Sequence, residues 1–242
     1  MDRVYFGIRG PDGDRRFAVV DRDGRFLSQR AHPGMTRIRP RPLSGSGVRL
    51  EAPGLEPLEV VPEPGREPVE VTVWKDRLGA VDCGDAAARW LSEFLGIPVR
   101  LAWLPEDGLR VRPDGSRRMT AFADAEPVLL VTDGSLAEVS REAGSEVGAE
   151  RFRVNLVVHR APPWAEDGWR RIRVGEAELE IVKPCARCSI VALDPATGVR
   201  QPAALRALGR IRRRDGEVWF GQNARVTVPG TVRTNDPVTV LE

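Results

Sequence analysis

The chain has 242 residues, room for one or two domains at roughly 100–200 residues each. With 30% charged and 41% hydrophobic residues, a mean hydropathy of −0.30 and a net charge of +2, it reads as an ordinary globular protein. No whole-molecule field points to nucleic acid or membrane, and no run of about 18 apolar residues makes a transmembrane helix. Met1–Phe6 leads directly into charged, hairpin-like sequence without a signal-peptide pattern, so a cytoplasmic location is the expectation.

Of the 37 basic residues only Lys75 and Lys183 are lysines, which leaves 35 arginines. Codon usage accounts for such a bias. A need for planar guanidinium forks that clamp an anion accounts for it too. Three cysteines, an odd number, argue against a disulfide framework.

Taken in chain order, most segments read as strands. Arg16–Val20 and Arg25–Leu27 flank Asp21-Arg22-Asp23-Gly24, a hairpin signal built on Asp-Gly. Val48–Glu51, Leu58–Val61 and Val69–Trp74 follow between Pro- and Gly-rich turns, a spacing that suits a barrel or sandwich. Ala87, Trp90, Leu91, Phe94 and Leu95 share one face of a helix over Asp85–Leu95, stopped by Gly96. Pro105, Asp107-Gly108, Pro113 and Asp114-Gly115 then interrupt all periodicity, placing a boundary between 103 and 127.

Beyond it, Ser135-Leu136-Ala137-Glu138 is a capping-box pattern that opens a second helix ending near Gly144. Strands are expected at Val128–Val131, Arg153–Val158, Arg171–Val174, Glu178–Val182, Ser189–Leu193, Val218–Phe220, Arg225–Val228 and Val238–Leu241. The fold class is therefore mostly β (α+β), with a small N-terminal lobe over 1–103, a larger barrel-like lobe over 104–242 and a few short helices.

The sharpest chemical feature is Lys183-Pro184-Cys185-Ala186-Arg187-Cys188. A structural zinc site needs four ligands, and only Cys83, His32 and His159 remain to complete one. A thioredoxin-like dithiol wants the pair at a helix N-terminus, whereas both flanks here read as strand. A third reading is one cysteine acting as thiolate ligand or nucleophile, with Lys183 and Arg187 as the positive neighbours that favour a thiolate. Two buried structural cysteines are the plain alternative.

Other chemistries find little support. A Ser-His-Asp triad would have to use His32 or His159, and no Gly-x-Ser-x-Gly is present. Walker-type and Gly-x-Gly-x-x-Gly loops are absent as well. The basic run Arg210–Arg214 lacks the interleaved aromatic residues of a single-strand nucleic-acid site. It reads as a solvated hairpin arm or as a docking surface for an acidic partner.

Several segments together carry a resemblance. Gly13-Asp14-Arg15-Arg16-Phe17-Ala18-Val19-Val20-Asp21, Arg30, Trp74, Asp82-Cys83-Gly84-Asp85, Trp90-Leu91-Ser92 and Val99-Arg100-Leu101 resemble the N-terminal β-barrel found ahead of MOSC domains. Arg151–Val158, Glu166-Asp167-Gly168-Trp169, the Cys185–Cys188 segment, Asp194-Pro195-Ala196-Thr197-Gly198 and Phe220-Gly221-Gln222-Asn223 are similar to the MOSC core. Within that family the chain resembles bacterial counterparts of the mitochondrial amidoxime reducing component.

The resemblance implies a molybdenum cofactor (Mo-molybdopterin) with Cys188 as thiolate ligand to the metal. It implies that Arg30, Asp124, Arg153, Asn155, Ala186, Arg187 and Asn223 hold the pterin and its phosphate, a role suited to guanidinium and backbone N–H donors. The implied reaction is reduction of a small N-hydroxylated or N-oxygenated substrate, with electrons from a separate reductase or iron–sulfur protein and no nucleic-acid or membrane partner.

Three departures stand out. A Pro-Val-Lys-Ser segment usual in the family is missing from the sequence ahead of Gly13, and with it two expected cofactor ligands. Val154 replaces a usual proline. Asn223 and Ala186 stand where an aromatic hydroxyl and a serine are common. The alternatives implied are a cofactor or sulfur carrier without catalysis, as in molybdenum-cofactor sulfurases, and a repurposed fold that holds no molybdenum.

Overall fold

The computed structural model describes residues 2–108 and 110–242. Strand β1 (Arg3–Gly7) opens the chain, followed by β2 (Phe17–Val20), β3 (Arg39–Pro42), β4 (Val48–Glu51), β5 (Leu58–Val60), β6 (Val69–Val73) and β7 (Asp76–Asp82). Helix α1 (Asp85–Leu95) and β8 (Arg100–Trp103) come next, then β9 (Val128–Thr132), α2 (Asp133–Ala143), β10 (Leu156–Val158), β11 (Arg171–Val174) and β12 (Ala177–Ala186). Helix α3 (Ala203–Ile211), β13 (Arg213–Arg214), β14 (Glu217–Val228), β15 (Gly230–Arg233) and β16 (Val238–Val240) follow, and further two-residue strands lie at Gly10–Pro11, Arg110–Val111 and Arg117–Arg118. The mostly-β class is as expected, with three short α-helices among the described residues.

Two compact units share the chain. One consists of Gly13–Ala123 with Ala196–Gly198, the other of residues 1–12, Asp124–Pro195 and Val199–Glu242.

In the first unit β7 pairs antiparallel with β6 and β8, and β8 with β2, while β3, β4 and β5 form a separate antiparallel sheet. Helix α1 buries Ala87 and Leu91 against Val48, Leu50, Val60, Val99 and Leu101, so its apolar stripe closes one core. Asp82 ends β7 and takes Arg100 on both carboxylate oxygens, with the Gly84 amide added on Oδ1 at 2.7 Å. Those bonds hold its carboxyl below the usual carboxylate range. Arg110, 1% exposed, pairs with Asp76 at 2.8 Å and donates to the Ala121 and Ala123 carbonyls, so this buried charge is fully committed to the scaffold.

In the second unit a seven-stranded, barrel-like mixed sheet runs in the order β10-β9-β14-β12-β11-β16, with β13 attached to β14. Only β9 and β10 are parallel. Strand β1 pairs antiparallel with β15, Arg3 facing Arg233 and Phe6 facing Gly230. Val128, Leu130, Ile172, Leu179, Ala224 and Val226 fill one core with Phe6. A second core gathers Val131, Val139, Phe152, Val191, Leu208 and Phe220.

Several local expectations need correction. Helix α2 starts two residues before Ser135, because Thr132 leaves β9 in an extended conformation and its hydroxyl accepts from the Ser135 N–H at 3.1 Å. Helix α3 lies outside the expectation altogether, although Ala204, Ala207, Leu208 and Ile211 follow Pro202 at helical spacing. Ser189–Ala192 is a 3-10 turn where a strand was expected, and Arg25–Phe26 contributes only isolated bridges. Short apolar runs of this kind do not distinguish strand from helix by periodicity. Arg153 sits left-handed at φ 58° at the end of a 3-10 turn over Ala149–Phe152, which delays the expected strand to Leu156.

Candidate functional site

The Cys185–Cys188 segment lies where β12 leaves its sheet. Cys185 is still in the strand and partly buried, while Cys188 is exposed, with an extended backbone that opens the 3-10 turn Ser189–Ala192. The register against β14 slips just here: Pro184 faces Gln222 but Ala186 faces Trp219, so β14 carries one residue more than β12. Gly221 lies in this irregular stretch at φ 76°.

Arg187 is fixed from four directions. Its backbone N–H donates to the Val218 carbonyl at 2.7 Å. Its guanidinium lies 5.5 Å from the Phe152 ring centroid, with Nη2 donating to the Phe152 carbonyl at 2.9 Å and Nη1 3.1 Å from the Cys185 sulfur. The guanidinium therefore meets Cys185, where the sequence reading made it a neighbour of either thiol. Its Nε is buried without a hydrogen-bond partner among the described residues. The Phe152 contact also brings Arg187 next to the exposed Arg153.

Asn155 and Asn223 stand on either side of Leu129. The Asn155 Oδ1 accepts the Leu129 N–H at 3.0 Å and its own N–H donates to the Leu129 carbonyl, while Asn223 is the β14 residue opposite Leu129. Asn223 also lies opposite Lys183, is 5% exposed and donates through Nδ2 to the Pro184 carbonyl at 3.2 Å. The structure thus brings Arg153, Asn155, Ala186, Arg187, Cys188 and Asn223 into one strip of the second unit. Asp124 opens the same unit and is exposed four residues ahead of β9. Arg30 belongs to the first unit, where its guanidinium stacks 4.5 Å from the Trp74 ring and its Nε meets the Ser28 hydroxyl at 3.3 Å.

One residue that carries the resemblance but is not singled out as a site residue helps shape this strip. Arg151 donates to the Val191 and Leu193 carbonyls at 3.3 and 2.9 Å and lies 3.6 Å from the Asp194 carboxylate, fastening the far end of the turn that Cys188 begins. Nothing in its spacing marks it among 35 arginines.

The remaining zinc and triad candidates are placed elsewhere. Among the described residues no three His, Cys, Asp or Glu side chains gather as metal ligands. Cys83 belongs to the first unit, where burial and the Asp82 carboxylate push its thiol up to about 12. A raised thiol stays protonated, and hence unreactive, at any pH well below that value. Iodoacetamide is expected to modify Cys188 readily at pH 8 and to leave Cys83 largely unmodified up to about pH 10. Site-resolved peptide mass spectrometry checks this; equal labelling of Cys83 and Cys188 at pH 8 would contradict it. His159 is exposed, 3.5 Å from the Asp133 carboxylate that also accepts from the Arg160 and Ala161 amides.

The MOSC domain family model matches residues 117–239, and the MOSC N-terminal beta barrel domain model matches residues 3–98. The chain belongs to the MOSC domain family. A molybdenum cofactor sulfurase from Danio rerio is 30% identical over 246 residues, covering 88% of this MOSC chain and 28% of the sulfurase. Mitochondrial amidoxime-reducing component 1 from Homo sapiens is 29% identical over 249 residues, covering 94% of this chain and 73% of the relative. Among solved structures, YiiM from Geobacillus stearothermophilus aligns over 48% of this chain and 55% of its own, at 18% identity and a TM-score of 0.37. No described helix is long and apolar enough to cross a membrane.

The strip suits a group held by sulfur and phosphate. A free exposed thiol supplies a soft anionic ligand, and thiolate matches a thiophilic metal better than carboxylate or imidazole does. The buried Nε of Arg187 is a donor still lacking an acceptor, which a phosphate or pterin oxygen would satisfy.

Proposed function

We propose that this MOSC protein binds a molybdenum–pterin cofactor through Cys188 and reduces N-hydroxylated compounds. The observation that carries the reading is the exposed Cys188, next in sequence to the anchored Arg187, whose guanidinium meets Cys185 and whose Nε lacks an acceptor among the described residues. The likeness to an amidoxime-reducing component over 94% of the chain supports the same reaction class.

When bound, such a cofactor supplies a metal that passes two electrons to an N–O bond. The chain's own residues do the rest. Cys188 holds the metal from the mouth of a turn that Arg151 fastens at its far end, which limits how far the sulfur can move. Arg187 and Arg153 present positive charge to the phosphate, with Asp124 of the same unit assigned to the same cofactor. Asn155 and Asn223 lock β9 to its neighbours and so keep the strip in register. Ala186 offers backbone contacts only. Gln222, opposite Pro184 on β14 and 2% exposed, is committed to Asp167, to which it donates at 2.7 Å.

The test is the molybdenum and pterin content of protein made in a host that synthesises the cofactor, followed by benzamidoxime reduction with a chemical reductant. Near-stoichiometric molybdenum with turnover supports the proposal; loading of neither metal nor pterin overturns it. A second reading, a sulfur or cofactor carrier, is favoured by the 30% identity to a molybdenum cofactor sulfurase. Its signature is a persulfide on Cys188 or Cys185, visible by mass spectrometry as an added sulfur, in protein without turnover.

A further inference from the structure

The basic run that the sequence singles out is divided by the fold. Arg210 pairs with Glu142 of α2, and Arg212 turns inward to Asp167 at 2.6 Å while stacking 4.3 Å from the Trp164 ring. These two are structural. Arg213 and Arg214 remain exposed on β13, and Arg206 is exposed one turn before Arg210 on α3. Arg200 precedes the same helix and is exposed as well. Among the described residues none of these four has an ion-pair partner, and Asp215 and Glu217 on the hairpin offset only half of their charge.

The elements that carry these arginines pack directly around the thiol. Helix α3 contacts the turn Ser189–Ala192 that Cys188 begins. On the other side Arg213 faces Val218 across the β13–β14 pair, and the Val218 carbonyl takes the Arg187 N–H. Two strand spacings therefore separate Arg213 from Arg187, about 10 Å, and the next residue is Cys188.

We infer that this surface, Arg200, Arg206, Arg213 and Arg214, is the docking face for an acidic electron-transfer protein that feeds the Cys188 site. The inference rests on the proposed function. Cleaving the N–O bond of an N-hydroxy compound to amine and water takes two electrons and two protons. The three cysteines of this sequence are too few for the four thiolates of an iron–sulfur cluster, and the electrons are brought by an iron–sulfur protein docked on this face. The donor class that fits is an acidic [2Fe–2S] protein. Two reduced clusters are each oxidised by one electron per turnover, and the protons come from solvent. A positive face around the site steers such a partner and fixes its orientation.

The experiment uses the full chain and a plant-type [2Fe–2S] ferredoxin as donor, with dithionite-reduced methyl viologen as a small cationic donor for comparison. The variant Arg206→Glu/Arg213→Glu/Arg214→Glu is set beside a variant of equal net charge on the first unit, Arg22→Glu/Arg39→Glu/Arg89→Glu. The docking-face variant is expected to lose at least about tenfold in ferredoxin-driven kcat/KM and to keep its viologen-driven rate within about twofold. The first-unit variant keeps both. Ferredoxin-driven turnover of the unaltered chain falls steeply from about 20 to about 300 mM salt, and viologen-driven turnover does not.

Equal loss with both donors, or no loss with ferredoxin, overturns the docking face. If the unaltered chain reduces nothing with viologen, the proposed function fails. Ferredoxin binding by calorimetry at low salt then decides the docking face separately: at least about tenfold weaker binding to the docking-face variant sustains it, and unchanged or absent binding ends it.

Discussion

In Cys188→Ser, molybdenum content is expected to fall to background and benzamidoxime reduction to drop at least about 100-fold, while the melting temperature stays within about 2 °C. The serine hydroxyl is a harder and far weaker acid than a thiol, so it does not replace thiolate at a thiophilic metal. Because Cys188 is exposed, the exchange removes little buried surface and leaves the 3-10 turn intact. Cys185→Ser is the decisive comparison. Its sulfur takes a guanidinium contact at 3.1 Å that a hydroxyl also accepts, so it retains most of the metal and at least about a third of the activity. Equal loss from both substitutions would point to shared dithiol chemistry. Arg187→Ala is expected to lower pterin occupancy several-fold with the fold preserved, since it removes a donor of the strip that is buried and unsatisfied among the described residues.

Gly221→Ala is expected to destabilise the second unit by about 2–4 kcal/mol and to lower cofactor loading with it. Gly221 holds φ 76°, which an L side chain adopts only with strain, and a new Cβ would lie 2.8 Å from Val131 Cγ1 and 2.9 Å from the Leu130 carbonyl. Leu130 is central to the sheet and fully buried, so the strand cannot retreat without disturbing β9. The same glycine lies in the slipped register that releases Ala186–Cys188 from the sheet, so the strain reaches the thiol's backbone. Denaturant unfolding checks the stability loss, and molybdenum content of the surviving folded protein checks the coupling. A variant as stable as the parent would show that β14 absorbs the change.

Much of this architecture was legible in the amino-acid order. Helix α1 announced itself through Ala87, Trp90, Leu91 and Phe94 and through Gly96, which sits left-handed at φ 68° as its stop. The β-rich pattern followed from regular turn residues. Cys188 and Arg187 stood out because a Cys-x-x-Cys is rare enough to notice. What stayed hidden depends on partners distant in sequence. Arg151 fastens carbonyls some forty residues away, and no local pattern encodes that. Arg212 looked like one more surface charge, yet Trp164 and Asp167 draw it inward. The 3-10 turn after Cys188 and the register slip at Gly221 are properties of β12 and β14 together. Neither strand's own residues specify them.

The way the chain is threaded governs how the protein can be dissected. Because β1 pairs with β15, Arg3–Gly7 is a working strand of the unit that otherwise starts at Asp124. Because Ala196–Gly198 belongs with Gly13–Ala123, the opposite unit is itself built from a long segment and a three-residue insert, with Gly198 set against Pro33 and Thr36. No single cut yields either unit whole. Expressing the thiol-bearing half alone therefore means grafting residues 2–12 through a short linker onto Asp124 and bridging Pro195 to Val199. A plain C-terminal fragment would instead expose β15 as a raw edge and would be expected to aggregate through it.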